Sequence, residues 1–291
     1  MYVVSGGGRR WLAKTSRFEA ESWFYQEVGW QLGWVPTSTR ITSRHVVLTD
    51  YLDGLPSVHE VSRDQPNEAI EMLVSLAPML AQLHGWPSDG ELHAAHPSLP
   101  ELDPVPVATW IDSSEASRHV LRSLQRRDLL CRAFREASSG IGPRGLIHGD
   151  LKGDNVLWSS TEPVVLDWEL CGRGFIGWDV GSVIGSMLVI WMEGMQLDGP
   201  RPDAWFDEAV VPYPEVCGAA RRFLADYRRH AHHPVPSPAV VVTYTATWLT
   251  AWAWIESLFA RQVDPRHLLR LVIAEGLVRN PHALLGGRPD G

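Results

Sequence analysis

The sequence predicts an α+β fold, a small strand-bearing N-terminal part followed by a larger, mainly helical part. Three observations carry that expectation. Residues 1–52 alternate short apolar runs with turn residues, from "MYVVS" and the glycines at 6–8 to "HVVLTDYL". From Asn67 the apolar residues recur at three- and four-residue intervals, the spacing of one helix face. Residues 175–291 read as mostly helical, interrupted by the loop sequence "HAHHPVPSP".

Taken in chain order, "MYVVS" and "RRWLAK" form a strand pair around Gly6–Gly8, which read as a tight turn because glycine takes positive φ without steric cost. A helix is expected from Phe18 to Leu32, then strands at "RITS" and "HVVLTDYL". The turn signal "DGLP" at Asp53–Pro56 divides an N-terminal lobe, residues 1–52, from a helical lobe, residues 53–291. The next helix carries Ala69, Ile70, Leu73, Leu76, Ala77, Leu80 and Leu83 on one face, and Pro78 is expected to kink it. Residues 88–107, rich in proline and polar residues, read as a surface loop, and Ser114–Ser138 as a further helix. Ala239–Ile255 carries no charge and approaches the shortest bilayer-spanning length. Its threonines and the following Glu256 favour a helix buried within the lobe.

Bulk properties narrow the function classes. A chain of 291 residues that is 45% apolar can bury a large core. A net charge of −8 argues against a nucleic-acid partner, which calls for a basic stripe. Cys131, Cys171 and Cys217 are odd in number and lack CxxC spacing, which argues against a disulfide framework or zinc site. They fit a reducing, cytoplasmic location. The N-terminus has no apolar stretch resembling a signal peptide, and no membrane association is expected. Most of the 14 tryptophans are expected in the core or between lobes.

The chemistry concentrates in "LIHGDLKGDNVLW", Leu146–Trp158, and "PVVLDWE", Pro163–Glu169. A loop carrying Asp150 and Asn155, then a strand ending in Asp167, can bring three oxygen ligands around one small space. Such hard ligands suit Mg²⁺, which binds few protein groups and completes its shell with phosphate and water. An acid left free of the metal can accept a proton from an incoming hydroxyl. Phosphoryl transfer needs that division of labour.

"HGDLKGDN" followed by "VVLDWE" resembles the catalytic loop and metal-binding strand of the aminoglycoside phosphotransferase and choline kinase-like family, relatives of protein kinases with the same H-x-D-x-x-x-x-N spacing. The resemblance implies a bilobal protein-kinase-like fold and an ATP- and Mg²⁺-dependent kinase acting on a hydroxyl group. It implies that Asp150 is the catalytic base, that Asn155 and Asp167 bind the metal, and that His148 supports the loop. Asp179, in "GFIGWDVGS", corresponds to the family's structural aspartate, which ties the catalytic loop to the next helix. Lys14 stands where the family holds the phosphates. Glu21, in "EAESWFYQEV", stands as its ion-pair partner, with Glu19 the rival. Asp50, Tyr51 and Leu52 fall in the segment whose backbone faces adenine. Lys152 reads equally as a solvated loop lysine or a phosphate-facing one, and Asp154 as a loop cap. The likeness extends to about residue 195 and includes "LAQLH" at Leu80–His84.

The family places two strands and a phosphate-covering loop ahead of its lysine strand, and residues 1–13 have room for one hairpin. The N-terminal lobe is therefore expected to be truncated, or to start upstream. "MYVVS" would lie at the sheet edge, a template for pairing with a partner protein or a second copy. The acceptor stays open between a small molecule and a peptide. Glu193, Asp198, Asp203, Asp207 and Glu208 either line a site for a cationic molecule or form a solvated face. A Ser/Thr kinase of a ribosomal natural-product precursor, working with a partner lyase, is one competing reading. A pseudokinase-type binding module is another, favoured by the short N-terminal part and opposed by the complete Asp150, Asn155 and Asp167 set. A metallophosphohydrolase is opposed by the absence of further His/Asp motifs.

Overall fold

The computed structural model describes residues 2–15, 19–36, 38–43, 46–87, 105–159, 162–197, 205–206 and 209–286. Strands β1 (Tyr2–Gly6) and β2 (Arg9–Thr15) form the first hairpin. Gly7 and Gly8 take φ of 58° and 78° at its tip, the conformation a two-residue hairpin turn demands at both central positions. Helix α1 (Glu19–Glu27) follows, shorter than expected because the chain tightens into a 3-10 turn at Gly29–Gln31. Strands β3 (Ser38–Ser43) and β4 (Val46–Asp50) complete an antiparallel sheet in the order β1-β2-β4-β3. Strand β1 lies at its edge with Tyr2, Val3 and Val4 exposed. Opposite pairs Leu12–Thr49 and Lys14–Val47 fall two residues apart and so share one face of the sheet.

The chain leaves the sheet at Asp50 and turns at Gly54, whose φ is 71°. Ser57 then starts α2 (Val58–Ser62) with a capping box: its Oγ accepts from the Glu60 amide, and its own amide donates to Glu60 Oε2. The long apolar pattern folds as two helices, α3 (Pro66–Val74) and α4 (Ala77–His84), rather than one kinked helix. Pro78 has no amide to continue a helix from α3, but is tolerated in the first turn of a new one. All seven apolar residues read from the pattern are buried. Of the expected 88–107 loop, residues 88–104 lie outside the described residues, and α5 (Val107–Asp112) begins at its end.

The helix expected over Ser114–Ser138 is likewise two, α6 (Glu115–Gln125) and α7 (Asp128–Ser139). The charged run Arg126-Arg127-Asp128 offers nothing to bury at the junction, while Leu121, Leu124, Leu130 and Phe134 on either side enter the core. Two small ribbons follow, β5 (Arg144–Ile147) paired with β8 (Gly172–Phe175), and β6 (Val156–Trp158) with β7 (Pro163–Val165). The remaining helices are α8 (Gly177–Glu193), α9 (Tyr213–His230), α10 (Pro238–Phe259), α11 (Pro265–Arg279) and α12 (His282–Leu285).

Helices α8 and α10 form the centre of the large lobe. They approach closely because α8 carries glycine at the crossing: a Cβ on Gly181 would lie 2.8 Å from the Thr245 amide, and one on Gly185 2.4 Å from the Trp248 ring. The uncharged stretch of α10 is thus a core element, with Val241, Val242, Tyr244 and Leu249 buried. Among the described residues, no helix is long and apolar enough to cross a membrane. Phe24 of α1 stacks on Trp168 at 3.7 Å between ring centroids, joining the small lobe to the segment that follows β7.

Candidate active site

The loop between β5 and β6 is held by buried groups. Gly149 has φ of 87°, and a Cβ there would meet the Leu170 carbonyl oxygen at 2.4 Å, so only glycine fits. The amides of His148 and Gly149 donate to the two oxygens of Asp179, at 2.7 and 3.0 Å. Asp179 sits in the first turn of α8, where the helix dipole favours an anion. Its Oδ2 also lies 3.3 Å from His84 Nε2, and His84 Nδ1 lies 2.8 Å from the Tyr227 hydroxyl. Burial pushes Asp179 up, but hydrogen bonds from His84 and the His148 amide outweigh it and hold its carboxyl below the usual range. Burial keeps His84 neutral, its pKa below that of free histidine. Its Nε2–H then donates to Asp179, and its Nδ1 accepts from Tyr227.

His148 is fully buried and links the loop to the neighbouring strand. Its Nε2 donates to the Leu166 carbonyl at 2.8 Å, and its Nδ1 accepts from the Asp150 amide at 3.2 Å. The Asn155 side-chain nitrogen donates to Asp150 twice, to the backbone oxygen at 2.8 Å and to Oδ2 at 3.1 Å. The Leu166 amide donates to the Asn155 carbonyl at 2.8 Å. Asp150, Asn155 and the residue before Asp167 are therefore positioned by one another.

Asp167 has φ of 62°, the single non-glycine residue with positive φ among those described. A side chain in this conformation is strained, and such strain clusters at functional sites. The carboxylate contacts Lys14 Nζ across the cleft. The same ammonium lies 3.3 Å from Glu21 Oε2 and 3.0 Å from Glu169 Oε2. Burial opposes the charge on Lys14, but Glu21 foremost, then Asp167 and Glu169, hold it well above the ordinary lysine range. Burial pushes Glu21 up, against the pull of Lys14. Glu21 is thus the partner of Lys14, while Glu19 is exposed.

Lys14, Glu21, Asn155 and Asp167 meet in a cleft of about 180 Å³ that is also lined by Leu12, Tyr25, Val47, Thr49 and Leu166. Asp50, Tyr51 and Leu52 do not line it. Tyr51 donates its amide to the Arg10 carbonyl at 3.1 Å, and its ring lies under the Arg10 guanidinium at 4.8 Å.

A second, smaller pocket of about 70 Å³ lies against the same loop, between Lys152, His59, Ser186, Glu193, Trp248, Trp252 and Glu256. Lys152 Nζ lies 2.7 Å from Asp150 Oδ2 and 4.6 Å from the centre of the Trp252 ring. Glu256 is paired with the buried Arg270. Burial pushes the Glu193 carboxyl up. The Ser186 hydroxyl is buried with no hydrogen-bond partner among the described residues. Of the acids read as a cation site, Glu193 alone can be placed here; Asp198, Asp203, Asp207 and Glu208 lie outside the described residues. The sequence reading missed Trp248, Trp252, Glu256, Ser186 and His59, and assigned most tryptophans to packing. One signal was present: Trp248 and Trp252 are four apart and so share a helix face.

Among the described residues, no group of three His, Cys, Asp or Glu side chains forms a metal cage. Asn155 and Asp167 instead bring two oxygen donors to one cleft wall, with the Asn155 nitrogen committed to Asp150. Lys14 alone faces three carboxylates, an excess of negative charge that a divalent cation would offset. The donor set fits Mg²⁺, which keeps water and phosphate in the rest of its shell.

The two-lobed fold, with this cluster at the junction, is that of a kinase-like phosphotransferase. Residues 9–216 match the phosphotransferase enzyme family APH, and the chain belongs to that family. No curated protein matches the sequence. Among solved structures, the chain is similar to the choline kinase LicA from Streptococcus pneumoniae, with 15% identity, a TM-score of 0.54, and 96% of this chain and 89% of that one covered. It is similar to an ethanolamine kinase from Plasmodium vivax, with 12% identity, a TM-score of 0.58, and coverage of 96% and 82%. An amicoumacin kinase solved with AMP-PNP and Ca²⁺ gives 12% identity, a TM-score of 0.59, and coverage of 96% and 84%.

Proposed function

We propose that the protein transfers the γ-phosphoryl group of ATP to a hydroxyl of a small molecule bearing a cationic amine. The observation that carries this reading is that Asp150 is bonded to one residue of each site: Asn155, which lines the cleft with Lys14 and Asp167, and Lys152, which lines the pocket with Trp252, Glu193 and Glu256. Several similar structures are kinases of amino alcohols, and one binds a nucleotide analogue with a divalent cation.

Lys14, fixed by Glu21, holds phosphate oxygens as a point charge. Asn155 and Asp167 would hold Mg²⁺, which would neutralise charge on the phosphates. Asp150 orients the acceptor hydroxyl and takes its proton as the new bond to phosphorus forms. Leu12, Val47 and Leu166 offer an apolar wall to the nucleotide base. Trp248 and Trp252 suit a cation, which aromatic faces attract, and the carboxyl groups of Glu193 and Glu256 stand in the same pocket wall.

The experiment is Mg²⁺-dependent ADP formation against a panel of amino alcohols and hydroxylated amines, with neutral alcohols of equal size. Turnover confined to cationic acceptors is expected. Equal turnover of neutral acceptors would overturn the amine, and no ADP with any acceptor would overturn the kinase reading.

A further inference from the structure

Lys152 stands in the acceptor pocket with both of its attractive contacts satisfied by groups that an incoming substrate would need. Its ammonium lies 2.7 Å from Asp150 Oδ2 and 4.6 Å from the centre of the Trp252 ring. Its side chain is 21% exposed, as is that of Asp150, so neither is locked in the core. The pocket wall beyond it carries Glu193 and Glu256 and the unpartnered Ser186 hydroxyl, 5% exposed by residue. A buried hydroxyl left without a partner loses the hydrogen bond it would have in water, so it marks a surface shaped for a polar ligand.

We infer that Lys152 is the resident cation of the acceptor pocket: it covers Trp252 and Asp150 until the ammonium of a cationic acceptor replaces it. This rests on the cationic-acceptor reading above and extends it to how the site is kept when no acceptor is bound. A lysine has a flexible four-carbon stem and a compact charge, so it can leave one carboxylate and one aromatic face without moving backbone. An acceptor that brings its own cation restores the pairing on Trp252 and releases Asp150 Oδ2 from the ammonium for the acceptor hydroxyl, with the Asn155 side chain still donating to it. A neutral acceptor offers no such exchange and must separate the Lys152–Asp150 pair without compensation. Selectivity for cations thus comes partly from the enzyme's own lysine, a repulsive element set against the wrong ligand.

The test is calorimetric binding of tetramethylammonium, with neopentyl alcohol as a neutral ligand of similar shape, in the absence of nucleotide. Removing the resident ammonium by Lys152→Met is expected to tighten tetramethylammonium binding about 3- to 10-fold, the range of an exposed to partly desolvated cation–π contact. Neopentyl alcohol should gain less than the cation. Adding Trp252→Leu to Lys152→Met should remove the gain, with circular dichroism confirming that both variants keep the fold. Wild-type binding that Lys152→Met leaves unchanged or weakens overturns the resident-cation role alone. An equal gain for the neutral ligand also overturns it, since space rather than charge would then be the cause. No tetramethylammonium binding by any form overturns both this role and the cationic-acceptor reading.

Discussion

Lys14 Nζ lies 3.3 Å from Glu21 Oε2, so strand β2 and helix α1 are joined by an ion pair whose acid is 3% exposed. Removing the lysine leaves that acid buried beside Asp167 and Glu169. Lys14→Met is expected to destabilise the protein by about 3 kcal/mol at pH 8, the scale for stranding one partner of a buried pair. The folded-state pKa of Glu21 is already raised by burial, and the substitution removes the pull of Lys14 that restrains it. A raised carboxyl pKa loses stability as pH climbs from the ordinary value of 4.5 through the folded value. The deficit of the variant should therefore shrink towards pH 5, where Glu21 can take up a proton. Thermal melts of both proteins at pH 5 and pH 8 check this; a deficit independent of pH would show that Glu21 is not the stranded group.

Asp150→Asn keeps the shape of the side chain and removes its capacity to accept a proton. Acceptor-dependent ADP formation should fall about 10²- to 10⁴-fold, the usual cost of losing a general base. The melting temperature should move little, because the new side chain keeps an oxygen that can accept from Asn155 and Lys152, and the loop is also held through His148, Gly149 and Asp179. Turnover within a few-fold of wild type would remove Asp150 from the chemistry.

Asp167 combines a strained backbone with a side chain proposed to bind Mg²⁺, so the two can be separated by Asp167→Gly. Glycine accepts the φ of 62° without the steric cost an L-residue bears, about 1 kcal/mol. Lys14 retains Glu21 and Glu169 as partners. The variant should melt no lower than wild type and yet lose at least tenfold in Mg²⁺-dependent nucleotide affinity. Calorimetry with AMP-PNP, with and without Mg²⁺, measures the second effect. Unchanged affinity would leave Asp167 a structural residue.

His84 makes the core sensitive to acid. Its folded pKa lies below 6.5 because burial disfavours its charge, so the unfolded chain takes up the proton first. Stability from this residue is present above pH 6.5 and is lost as pH falls through the folded value. His84→Gln, which cannot ionise, should be about 1–2 kcal/mol less stable at pH 7 through imperfect bonds to Asp179 and Tyr227. Its melting temperature should nevertheless decline less steeply than that of wild type between pH 7 and 5. Parallel declines would place the acid sensitivity elsewhere.

Much of the architecture was legible because it is locally encoded. The Gly7–Gly8 turn demands positive φ, Ser57 caps its own helix, and Ala69 to Leu83 repeat at the helical period; each follows from neighbours in the chain. The family, too, follows from a contiguous motif, "HGDLKGDN", because the residues that shape one loop must lie within it. Pro78 signalled an interruption but not a full break at Ser75–Leu76, and the break at Arg126–Arg127 was not visible, since a helical pattern can continue across a point where the chain must change direction to fill the core. The choice of Glu21 over Glu19 was decided by tertiary structure, for the two differ only in which one faces β2. The same holds for Tyr227 on His84 and Trp252 on Lys152, separated by 143 residues or about a hundred in sequence. Non-local pairs like these leave no periodic trace, because which side chains meet depends on how whole helices pack, and only packing brings a tryptophan of α10 to the loop that carries Asp150.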